Sequence, residues 1–212
     1  MTYIDLTLSY NKNVAGFRSE PARLLHKDGW NATTLQIYSH AGTHMDAPTH
    51  FEVNEQTIDQ IPLEKFFAKR TWLVRLLDLP LSYLIKSEDV LSQVADFQKG
   101  DSIIIRTDWS KRLEADTENT YRNALPRISE DLANWMVANE VTILGVEPPS
   151  VADVNNMEEV TKIHIILLGL VIIIEGLCNL DSIKSTMIEL IALPLKIEGC
   201  DGSPCRVVAI ES

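Results

Sequence analysis

The stretch His40-Ala41-Gly42-Thr43-His44-Met45-Asp46-Ala47-Pro48-Thr49-His50-Phe51 organises the chain. Three of the five histidines in the protein fall within its first eleven residues, with an aspartate among them. A fourth, His164, lies far downstream, and Glu175 follows it eleven residues later. The two groups read as halves of one metal site. His40, His44, Asp46 and His50 are separated by even numbers of residues, so an extended chain would turn all four to one face. A straight strand cannot gather them, because the steps from His40 to His50 would span about 33 Å. The chain must bend, and Gly42 and Pro48 stand where bends are needed. A helix is the rival, since histidines four apart share a helical face, but Gly42, β-branched Thr43 and Pro48 all weaken one. The pattern predicts a bent loop leaving a strand.

Imidazole nitrogen with carboxylate oxygen suits zinc, manganese or ferrous iron without any thiolate. A catalytic site of this kind keeps a position open for water. His50 is the most separated member and follows the proline turn; it either joins the ligands or stands beside them as general acid and base. Ordinary loop histidines capping turns are the bland alternative, but the density of the cluster argues against it.

The residues His-x-Gly-Thr-His-x-Asp-x-Pro-x-His-Phe resemble the signature of the cyclase family of metal-dependent hydrolases, which includes bacterial kynurenine formamidases and isatin hydrolases. The resemblance extends over nearly the whole chain: Ile4-Asp5-Leu6-Thr7 at the start, Ile105 to Ser110 and Gly145 to Ser150 in the middle. It continues through His164 to Gly169, Glu175 to Leu177, Leu193 to Ile197 and Gly202-Ser203-Pro204. It implies a swivelling β/β/α fold of the α/β class, met as a homodimer. It also implies that His40, His44 and Asp46 bind a first divalent metal, Zn2+ or Mn2+. Asp46 would bridge to a second ion held by His164 and Glu175, with His50 as the catalytic histidine. Two departures stand out. Glu147 occupies a position where the family has aspartate, so a contact behind the site would change. The early loop reads Val14-Ala15-Gly16-Phe17-Arg18 instead of the aromatic-Pro-Gly-Asp of kynurenine formamidases, so specificity is expected to differ there.

The implied reaction is hydrolysis of a carbon–nitrogen amide bond in a small formamide, with cyclic amides as the isatin hydrolase-like alternative. A lyase or isomerase on the same metal, a metal binder without turnover and a purely structural metal are the competing readings. The last fits least, because structural zinc favours closed cysteine-rich sets. No Gly-x-Ser-x-Gly elbow is present, so a serine hydrolase triad has no visible nucleophile.

Length and composition fit these expectations. A chain of 212 residues reads as one domain over 1–212, long enough to bury its own core. The net charge of −11 argues against nucleic acid or an anionic membrane as partner, since both call for clustered Lys and Arg. Cys178, Cys200 and Cys205 form no Cys-x-x-Cys pair and suit a reducing compartment. The first residues show no signal peptide, and the longest apolar run, Ile165 to Ile174, is about half a membrane span. A cytoplasmic protein acting on a small molecule is expected.

Along the chain, strands are predicted at Tyr3–Leu8, Thr33–Ser39, Thr71–Leu77, Ser102–Thr107, Val141–Val146, Val171–Glu175, Ile188–Ala192 and Arg206–Ile210. Helices are predicted after Pro62, from Ser87 to about Phe97, from a Ser129 cap to Ala138, and over Asn155–Leu168 with Gly169 as terminator. Residues 9–31 read as a long polar loop, a candidate lid or subunit contact, within which His26 is an ordinary surface residue and Trp30 either core or pocket wall. Lys111–Arg127, with its run of Glu and Asp, reads as a solvated loop. Irregular alternation of strands and helices predicts a mixed α/β domain and not a regular barrel.

Overall fold

The computed structural model describes residues 1–113 and 119–211. The strands are β1 (Thr2–Asp5), β2 (Phe17–Arg23), β3 (Ala32–Ile37), β4 (His44–Asp46), β5 (Phe67–Arg75), β6 (Leu84–Ile85), β7 (Ser102–Arg106), β8 (Arg127–Ile128), β9 (Ile143–Val146), β10 (Ile172–Glu175), β11 (Met187–Pro194) and β12 (Gly202–Glu211). The α-helices are α1 (Leu25–Asp28), α2 (Ser87–Leu91), α3 (Thr120–Asn123), α4 (Glu130–Ala138) and α5 (Met157–Leu168). The main sheet runs β1-β12-β11-β5-β7-β9-β10-β4, and β4 also pairs with β12, so the sheet closes into a barrel with β1 outside the ring. Its β5-β7-β9-β10 arc is parallel and the remaining pairings are antiparallel.

The isoleucine runs explain the layering. Parallel strands covered on both faces are apolar throughout, and successive side chains alternate sides. Ile104, Ile143, Ile172 and Ile174 accordingly pack with Met45, Leu73, Leu190 and Val207 in one buried cluster, the barrel interior. Ile103, Ile105, Leu144 and Ile173 turn the other way, against Leu132 and Met136 of α4 and Ile163 and Leu167 of α5. The mixed α/β expectation holds. Closure of the sheet is an added feature, made by the three-residue β4.

Several boundaries shift for local reasons. The predicted 9–31 loop contains β2 and α1, and β2 pairs with β3 as an antiparallel hairpin. Nearly every residue of that ribbon is exposed, so neither strand carries the alternation that marks a half-buried strand. Trp30 lies at the far end of this hairpin, 57 % exposed, neither core nor pocket wall. His26 is exposed as expected. The α2 helix stops at Leu91, because the chain continues with three-residue turns from Val94 to Leu91 and from Phe97 to Val94. Its first turn is closed by Asp89, which accepts the Lys86 N–H at 2.8 Å. The chain after Pro62 forms a single 3-10 turn, Leu63–Phe66. Ser129 caps α4 and Gly169 ends α5 as predicted. Within the predicted 111–127 loop the structure has α3, while the acidic run at 114–118 lies outside the described residues. Among the described residues no helix is long and apolar enough to cross a membrane.

Candidate metal centre

Residues 40–51 bend as the sequence requires. Gly42 takes φ +60°, where glycine meets no steric cost, and Pro48 opens the 3-10 turn Pro48–Phe51 that carries His50. Between these bends lies β4, with Met45 in the barrel interior and His44 and Asp46 on the opposite face. In register, Glu175 of β10 sits beside His44, so neighbouring strands bring an acid and an imidazole together. His164 reaches the same place from α5. The structure therefore gathers both clusters: the groups His40, His44, Asp46 and Asp46, His164, Glu175 each hold donor atoms within 4.8 Å of one another.

The histidines are oriented from behind. His44 Nδ1 donates to the Gly42 carbonyl at 3.0 Å and His164 Nδ1 donates to the Val160 carbonyl at 2.7 Å. A ring nitrogen that carries the proton in such a bond leaves the other free as a ligand. His44 Nε2 accordingly lies 3.2 Å from Glu175 Oε2 and 3.5 Å from Asp46 Oδ1, and His164 Nε2 lies 3.7 Å from both Asp46 Oδ2 and Glu175 Oε1. His40 Nδ1 lies 2.8 Å from Asp46 Oδ1. Glu175 Oε1 also accepts the Val151 N–H at 2.8 Å.

Two buried carboxylates and three imidazoles need positive charge among them. Burial pushes the Asp46 carboxyl up, but the His40 hydrogen bond and the fields of His44, His40 and His164 outweigh it and hold it well below the usual carboxylate range. Burial likewise opposes the charge on His40, yet Asp46 and Asp201 pull its pKa up to about 9. His44 and His164 are raised the same way, against burial, by Glu175 and Asp46. In the protein alone, protons on imidazoles balance the acids. A divalent cation does the same with those nitrogens deprotonated. Asp46 Oδ2 decides that the residues fit an ion: it is fully buried and has no hydrogen-bond partner among the described residues, a costly state for a carboxylate oxygen unless something else binds it.

His50 stands beside this group. Its ring stacks on His40 with centroids 3.9 Å apart, and burial, reinforced by the positive fields of His40 and His164, lowers its pKa. A cavity of about 610 Å³ opens over His40, His44, His50, His164 and Glu175. Its walls are largely apolar, including Val14, Phe51, Val154 and Met157, with Tyr121 and Arg122 also on the lining. The early loop does line the pocket, through Asn13 to Gly16.

Glu147 lies behind the site. It is buried and accepts hydrogen bonds from Thr107 N at 2.6 Å, Trp109 N at 3.2 Å and Ser110 Oγ at 2.8 Å, fastening the end of β7 to the end of β9. Burial raises its pKa, and these hydrogen bonds offset only part of the effect. Sequence reasoning missed Asp201, whose Oδ2 lies 3.0 Å from His40 Nε2 and 3.5 Å from His50 Nδ1. No spacing links a lone aspartate to histidines so far upstream. It also missed Tyr10, whose hydroxyl donates to the Ala41 carbonyl at 2.6 Å and braces the histidine turn.

Comparison with known proteins gives the chain its relatives. The chain is 29 % identical over 178 residues to the kynurenine formamidase of Salinibacter ruber, covering 84 % of this chain and 79 % of that one. It is 25 % identical over 214 residues to the kynurenine formamidase of Bacillus cereus, covering 97 % and 96 %. In fold it matches isatin hydrolase A from Ralstonia solanacearum with a TM-score of 0.86 at 23 % identity, over 99 % of this chain and 92 % of that one. The cyclase family model matches residues 4–153, which contain the whole histidine stretch. With the barrel, the bent His40–Phe51 segment and this match together, the chain belongs to the cyclase family.

Proposed function

We propose that this protein is a metal-dependent hydrolase that cleaves the carbon–nitrogen bond of a small formamide or cyclic amide. The observation that carries the reading is the buried Asp46 Oδ2, without a hydrogen bond among the described residues, at the convergence of two histidine–carboxylate groups beneath a cavity lined by His40, His44, His50, His164 and Glu175. His40, His44 and Asp46 would hold one ion and His164 and Glu175 a second, with Asp46 between them. Zinc or manganese suits this nitrogen and oxygen donor set. A bound ion supplies Lewis-acid polarisation of the carbonyl and makes water a nucleophile near neutral pH.

The chain's own residues do the rest. His50, held neutral at pH 7 by its lowered pKa, takes a proton from the attacking water and returns it to the leaving nitrogen. The water oxygen bonds to the carbonyl carbon, the carbon–nitrogen bond breaks, and a carboxylic acid and an amine result. The apolar walls receive an aromatic or alicyclic body, and the altered early loop, at Val14 to Gly16, sets which one. The relatives named for kynurenine formamidase activity support the formamide; the fold likeness to isatin hydrolase keeps the cyclic amide as the second substrate to try.

The test is turnover of N-formylkynurenine and of isatin by metal-stripped protein, before and after addition of zinc or manganese. Metal-dependent turnover of either is expected. Metal binding without turnover of any amide would refute the hydrolase assignment.

A homodimer and a cytoplasmic location belong to the same proposal. The β2–β3 hairpin exposes Leu35 and leads into exposed Tyr38, apolar surface fitted to a second copy, and all three cysteines are free, as a reducing compartment keeps them. Light scattering at micromolar concentration checks the first, with twice the chain mass expected.

A further inference from the structure

Four histidines surround the candidate centre, and each needs one nitrogen protonated and the other bare. Backbone carbonyls settle this for His44 and His164. No carbonyl does so for His40, whose Nδ1 faces Asp46 Oδ1 at 2.8 Å, or for His50. Instead both rings bring a nitrogen to the same atom, Asp201 Oδ2, at 3.0 Å for His40 Nε2 and 3.5 Å for His50 Nδ1. The second distance is within ion-pair range and long for a hydrogen bond. A carboxylate only accepts, so the nitrogen facing it is the one that bears the proton. The His50 ring makes no hydrogen bond to any other group among the described residues.

We propose that Asp201 is a positioning residue that holds the Nε2 proton of His40 and the Nδ1 proton of His50 through one carboxylate oxygen. His40 then keeps its Nε2 proton when a bound ion takes the place of the proton that Nδ1 shares with Asp46 Oδ1 at 2.8 Å, and His50 keeps bare Nε2 as the base. The inference rests on the metal-site reading above. A carboxylate behind a metal-binding histidine is a recurring device that orients the ring and raises its basicity, and its removal costs 10- to 100-fold in metal affinity. Here the same oxygen also serves the neighbouring base, which ties the geometry of binding to that of proton transfer. The Asp201 side chain is 43 % exposed, so shortening it leaves no buried void.

The test uses Asp201→Ala and Asp201→Asn in the full chain, with two readings that need no substrate: the zinc dissociation constant by chelator competition, and the histidine ring 15N shifts, which report tautomers. Asp201→Ala is expected to weaken zinc binding by about 10- to 100-fold, to turn the His50 signal into a tautomer mixture and to shift the His40 Nε2 signal. Its kcat should fall with KM little changed. Asp201→Asn, which keeps an acceptor oxygen, should recover part of the zinc affinity. Wild-type zinc affinity together with wild-type ring shifts in Asp201→Ala would overturn the assignment. Should that variant fail to fold, unchanged readings in Asp201→Asn would overturn it equally. If the wild-type protein turns over no amide, the hydrolase reading fails while the zinc and 15N readings still decide the role of Asp201.

Discussion

At the scale of single residues, His50 and His40 make opposite predictions. On the proposed reading His50 moves protons and does not hold the ion, so His50→Ala should lower kcat by about 10²- to 10⁴-fold while metal content, measured by elemental analysis, stays at the wild-type level. His40 is different, because its charge depends on whether an ion is present. In metal-free protein its pKa is raised from 6.5 to about 9. A raised histidine pKa stabilises the fold in full below the unfolded value and loses that contribution as pH climbs through the folded one. Metal-free protein should therefore lose on the order of 3 kcal/mol between about pH 6.5 and 9, read by denaturant unfolding at each pH. His40→Gln should flatten that dependence. A metal-free protein equally stable at pH 6 and pH 9.5 would show that the His40–Asp46 pair is not formed in solution.

At the scale of elements, the site depends on how β4, β10 and α5 meet. Gly176 follows Glu175 with φ +69°, and a Cβ there would lie 2.3 Å from the Gly42 carbonyl oxygen. The two turns touch backbone to backbone, sealed by Thr43, whose hydroxyl donates to the Gly176 carbonyl at 2.5 Å. Gly176→Ala should cost about 1–3 kcal/mol from the backbone angle alone, with the clash adding to it, and should displace Glu175 so that zinc affinity falls too. Leu167, one turn along α5 from His164, is fully buried. Leu167→Ala should destabilise the protein by about 2–5 kcal/mol by chemical denaturation. The Ser129 cap and the Gly169 stop of the two longer helices were legible because capping is local chemistry. The β2–β3 hairpin was not, because its strands bury almost nothing and are held by pairing that no periodicity records.

For the whole molecule, a divalent ion that binds only the folded chain must stabilise it by mass action. At a free concentration of 100 times the dissociation constant the gain is about 2.7 kcal/mol, so zinc or manganese should raise the Tm and a chelator should lower it. Replacing Asp46 with Ala should abolish the metal-dependent part of that shift. The barrel is also decided at this scale. Its ring is closed by β4, three residues that pair with β10 on one side and β12 on the other, and the same three residues carry His44 and Asp46.

By itself the sequence marked the candidate donor set and the strands of the layers. The spacing of His40, His44, Asp46 and His50 around Gly42 and Pro48 forced a bent segment rich in ligands. The runs Ile103–Ile105 and Ile172–Ile174 read as strands, and His164 fell on a helix whose end Gly169 marked. These signals are local in the chain, and local signals survive in one dimension. Only the tertiary structure decided that the sheet closes, that Glu147 ties β7 to β9, and that Asp201 stands behind two histidines at once. Those contacts join residues tens to more than a hundred positions apart, and nothing in the local pattern of either partner announces the other.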